Sequence, residues 1–135
     1  MKFNARIAAS APALILTWLL VSSGVGAHHS FSAEFSRDLP VEVTGVVTKV
    51  EWMNPHARFY IEADENGEKV SWDFELTTPN ILMRRGWRPD SLEPGDRVTV
   101  TGWRARNHPH VANANTVRTA DGKELFTGSA GNTAD

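Results

Sequence analysis

The stretch "RFYIEADENGEKVSWDFELTTPNILMRRGW", residues 58–87, decides the fold class. Val70, Trp72, Phe74 and Leu76 alternate with Ser71, Asp73 and Glu75, so one face is apolar and the other polar, the pattern of a half-buried strand. Trp72 and Phe74 are therefore expected in the core. Phe59 and Ile61 alternate in the same way with Arg58, Tyr60 and Glu62. Between the two runs stands Asn66-Gly67, a pair that accepts the positive φ values of a tight hairpin. The alternation then stops. Thr78 suits a helix cap, Pro79 the first helical position and Gly86 the stop, which predicts one short helix over 79–85.

Upstream, "VEVTGVVTKVEW", residues 41–52, is rich in Val and Thr and predicts a first strand. Gly45, followed by adjacent Val46 and Val47, interrupts the alternation as a β-bulge or a sharp coil in a barrel strand would. Downstream, a turn at Pro94-Gly95 leads into a strand with Val98 and Val100 facing inward, and "VANANTVRTADGKELF", residues 111–126, predicts a last pair folded at Asp121-Gly122. Three strands, a helix and two or three more strands is the order of a small Greek-key OB-like barrel, all-β with one short helix. The alternative, an immunoglobulin-like β-sandwich, wants about seven strands and no helix in the middle.

Residues 1–27 read as a signal peptide. Lys2 and Arg6 give a positive start, Ile7 to Val21 form an uncharged apolar run, and Val25-Gly26-Ala27 has the small residues that signal peptidase accepts. The run is shorter than the roughly 20 residues of a membrane-spanning helix, so no stable membrane insertion is expected after cleavage. A periplasmic or extracellular location follows. Residues 28–40 then form an N-terminal tail, 41–126 the barrel domain and 127–135 a flexible C-terminal tail. Losing Lys2 and Arg6 from 14 basic residues leaves 12 against 16 acidic ones, a net charge of −4. That excess argues against nucleic acid as a partner. With no cysteine, disulfides, thiolate ligands and thiol nucleophiles are excluded, and metal chemistry is left to imidazole, carboxylate and amine.

The run A-H-H-S-F at residues 27–31, then "GVVTKVEWMNPHARFYIE", "WDFELTTPNILMRRGW" and "LEPGDRVTVTGWRARN", resembles a domain-of-unknown-function family of small secreted bacterial proteins. The resemblance spans residues 27–128 and implies no activity, so chemistry must be sought in the residues themselves.

Cleavage after Ala27 would make His28 the first residue, its amine and ring nitrogen forming a chelate that a third imidazole completes as a T-shaped site suited to copper. Such a site is similar to the histidine brace of copper monooxygenases and periplasmic copper carriers. Cleavage after Gly24 would forbid it. His56, in the turn after Asn54-Pro55, is the best third ligand, with His29, His108 and His110 in reserve. The last two flank Pro109 in the connection before the last strand pair. A second candidate is a ligand face built from Tyr60, Arg58 and Trp103, with Arg58 also able to pair with Asp73 or Glu75. No Ser-His-Asp order, phosphate-binding loop or carboxylate dyad stands out. The expectation is a secreted binding module with copper as its most specific candidate ligand. The alternatives are a metal-free adaptor for a protein or saccharide and a copper-dependent oxidase; of the three, catalysis is the least expected class.

Overall fold

The computed structural model describes residues 31–127. Its elements run α1 (Phe31–Glu34), β1 (Phe35–Glu51), β2 (Arg58–Glu65), β3 (Glu68–Glu75), α2 (Pro79–Arg84), β4 (Arg97–Ala105), β5 (Val111–Thr119) and β6 (Glu124–Phe126). β1 pairs antiparallel with β2 and with β4, β2 with β3, and β4 with β5, while β3 and β5 pair in parallel and close the ring. β6 adds to the free edge of β5. One sheet closed on itself, with α2 between β3 and β4, is the expected all-β OB-like barrel rather than two stacked sheets. Among the described residues no helix is long and apolar enough to cross a membrane.

Local chemistry explains the hairpin and the helix. Asn66 and Gly67 take φ values of 57° and 87°, the left-handed pair of the predicted turn. At α2, the Thr78 side chain accepts from the Ile81 N–H at 3.4 Å, and Pro79 sits where no donor is missed. Its end is a Schellman motif. Gly86, at φ +91°, donates to the Met83 carbonyl, Trp87 donates to that of Leu82, and the Trp87 and Leu82 side chains are both buried in the core.

The barrel interior is filled by alternate residues, among them Val47, Phe59, Ile61, Trp72, Phe74, Val98, Val100 and Val117. Phe74 stacks on Phe59 with ring centres 5.4 Å apart and on Trp72 at 5.7 Å.

Three expectations need correction. The register of β1 against β2 shifts between Val47 and Lys49, not at Gly45; a Cβ on Gly45 would lie 2.5 Å from the Glu62 carbonyl oxygen, so this glycine admits the close approach of β2. Within the segment expected to be an N-terminal tail, residues 31–40 are built structure, since α1 and the first residues of β1 occupy them. Phe35 is buried opposite Ala105 outside the barrel core, and Phe31 packs on Phe35 and edge-on against Trp103 at 5.7 Å. Thr127, assigned to the flexible end, is fully buried and hydrogen-bonded through its N–H to Asn115 and through its hydroxyl to Ala114.

Candidate functional site

The outer face of the β2–β3 hairpin carries a continuous polar network. Register places Arg58 opposite Glu75 and Tyr60 opposite Asp73. The Arg58 guanidinium donates to Asp73 Oδ2 at 2.6 Å and to Glu75 Oε2 at 2.8 Å, so it pairs with both carboxylates. Tyr60 donates its hydroxyl to Glu51 at 3.1 Å, and Glu51 also pairs with Lys49, whose ammonium lies over the Tyr60 ring. Beyond the hairpin's open end, the backbone bonds Leu76 N–H to Ala57 carbonyl and Ala57 N–H to Thr77 carbonyl carry the pairing one step further. They hold the turn after the cis Asn54-Pro55 bond against β3, and His56 Nδ1 lies 3.0 Å from Glu75 Oε1.

Charge inside this network is uneven. Burial pushes the Asp73 carboxyl above its ordinary value of 3.8, with Arg58 opposing and the nearby Glu75 and Glu51 charges adding to the rise. Its Oδ1 is buried without a hydrogen-bond partner. Glu51 shifts the other way, lowered by its hydrogen bonds to Lys49 and Tyr60. Because the folded state holds the Asp73 proton more tightly than the unfolded chain does, that group's contribution is full below pH 3.8 and is lost as pH rises through its raised native value. Asp73→Asn removes this loss. The stability of the variant relative to the parent, read from urea melts, is therefore expected to improve as pH rises from about 4 through the raised native value of Asp73; a relative decline would mean that Arg58 pairing outweighs burial.

A cleft of about 450 Å³ opens beside the network, lined by Ala33, Glu34, Arg58, Glu75, Asn107 and His108 among others. Arg106 fastens the N-terminal segment here, its backbone N–H to the Glu34 carbonyl at 2.9 Å and its Nε to the Ser32 carbonyl at 3.1 Å. His108 thus shares a cleft with Glu75, the partner of His56. His110 belongs to a different cleft, with Glu65, Arg104 and Trp72, and its ring lies T-shaped to that of Trp72 with centres 5.3 Å apart. His28 and His29 lie outside the described residues. Among the described residues no three His, Cys, Asp or Glu side chains converge to hold a metal ion.

The proposed ligand face does not come together as one patch. β2 and β4 are separated by β1 on one side of the ring and by β3 and β5 on the other. Arg58, Glu75, Asn113 and Trp103 follow one another across the sheet, so Arg58 and Trp103 share a row with two residues between them. Trp103 is covered by Phe31 and the Arg37 guanidinium. Asn113 was not signalled by its sequence context, yet it is buried in this row with its Oδ1 unpartnered. Glu75 and Asp73 carry more of the site than their place in an alternating strand suggests.

No curated protein and no solved structure matches the chain. A family model does match, from residue 18 to residue 113, a span that takes in the A-H-H-S-F run, the hairpin, the helix and the His108–His110 loop. The chain therefore belongs to the family of unknown function DUF6152.

Proposed function

We propose that the chain is an exported binding module, periplasmic or extracellular, that holds one copper ion at its mature N-terminus. One observation supports this above the others: Ala33 and Glu34, which follow His28 and His29 closely in sequence, line the same cleft as His108 and Glu75, and Glu75 contacts His56. The amine and ring of His28 supply a chelate and His56 a third nitrogen. His108 is the nearer reserve donor and His110, in the other cleft, the more remote one. Copper heads the divalent affinity order for nitrogen ligands, so thiolates are not required. All the donors must be unprotonated, and binding weakens in acid.

The metal-free adaptor is the weaker reading because Arg58, Tyr60 and Trp103 are already engaged within the protein. Intact mass of the exported protein fixes its first residue. Calorimetric titration with Cu(II) is then expected to give one site, and one extra residue ahead of His28 is expected to weaken it by more than about 100-fold, beyond the effect of losing a supporting group alone. Equal affinity for both forms would sink the reading.

A further inference from the structure

We infer that Glu75 is a positioning residue: its carboxylate holds His56 as the Nδ1–H tautomer, so that Nε2 is the nitrogen His56 offers to copper. A carboxylate oxygen has no proton to give, so the 3.0 Å contact is a hydrogen bond only when Nδ1 carries the proton and donates it to Oε1. Neutral histidine in water prefers the opposite tautomer. Glu75 is not free to turn away, because Arg58 grips its other oxygen at 2.8 Å while binding Asp73 at 2.6 Å. The backbone bonds of Ala57 to Leu76 and Thr77 keep the His56 turn alongside.

The burial of the pair is asymmetric in a useful sense. Glu75 keeps only 12 % of its side chain in solvent and His56 36 %, so the anchor is covered while the ring remains reachable. His110 has no such anchor, since Glu65 stands 3.7 Å away, beyond hydrogen-bond reach. An imidazole that donates its second nitrogen to a carboxylate is oriented and made a better donor, and removing such a partner typically costs about 10–100-fold in metal affinity.

The tautomer stands independently of metal, whereas the copper step rests on the function proposed above, and the two are read separately. Long-range ¹H–¹⁵N correlation spectra of the copper-free exported protein at about pH 8, where ordinary imidazoles are neutral, should show His56 as Nδ1–H. They should show it reverting toward Nε2–H in Glu75→Ala, and in Glu75→Asp if the shortened variant folds better. An Nε2–H ring in the parent protein overturns the inference whatever copper does. With Cu(II) as probe, His56→Ala and Glu75→Ala should both weaken binding, the latter by about 10–100-fold. Loss with His56→Ala but none with Glu75→Ala overturns the positioning role and leaves the copper site standing. Indifference to both variants removes His56 from the site and overturns the copper step.

Discussion

Phe74→Ala is expected to remove about 3–5 kcal/mol of folding stability, the range for truncating a buried phenylalanine in a core that relaxes only in part. The ring is fully buried between Phe59 and Trp72, and the residue opposite it across the β3–β5 junction is Ala112, too small to fill the space left behind. A chain without cysteine has no covalent cross-link to offset the loss. Against a typical total of about 5–15 kcal/mol, the variant approaches the limit of folding. Its thermal midpoint should fall by about 12 °C or more. A shift of a degree or two would mean that the aromatic stack does not hold β3 in the ring.

Gly102→Ala should cost about 3 kcal/mol, the upper end of the usual penalty for overpacking. A Cβ at Gly102 would lie 2.1 Å from the Asn113 carbonyl oxygen, and that atom is backbone, unable to swing aside like the tip of a side chain. β4 and β5 would have to separate where their register already shifts between Thr101 and Gly102. Gly67→Ala is the control. It meets nothing within 4 Å, so its cost comes only from the left-handed backbone at φ +87°, about 1–2 kcal/mol. Equal urea midpoints for the two variants would show that the strands yield at Gly102 more easily than the geometry indicates.

Local signals carry the fold a long way. Asn66-Gly67, Thr78-Pro79 and Gly86 each work through their own backbone preferences, so the hairpin and the helix are readable residue by residue. Gly45 misleads because a glycine that admits a neighbouring strand looks the same in sequence as one that opens a bulge. The structured start at Phe31–Phe35 is hidden for a different reason: what orders it is Trp103 and Ala105, far along the chain.

The site divides along the same line. Hairpin register puts Arg58 opposite Glu75, and the ion pair is readable from alternation and the turn. Joining Tyr60 and Trp103 into one face requires the strand order, which no local pattern records. In H-x-H the two histidines look alike, yet they line separate clefts.

The parallel seam between residues 73–75 and 111–113 has a consequence for how the chain reaches its final state. The hairpin of β2 and β3 can form early from neighbouring residues, but the seam waits until α2, β4 and the following loop have been laid down. Until then β3 and β5 each present an unpaired edge, the kind of surface that recruits other chains. Ring closure is therefore the step at which the molecule ceases to be sticky, and slowing it should favour aggregates over closed barrels.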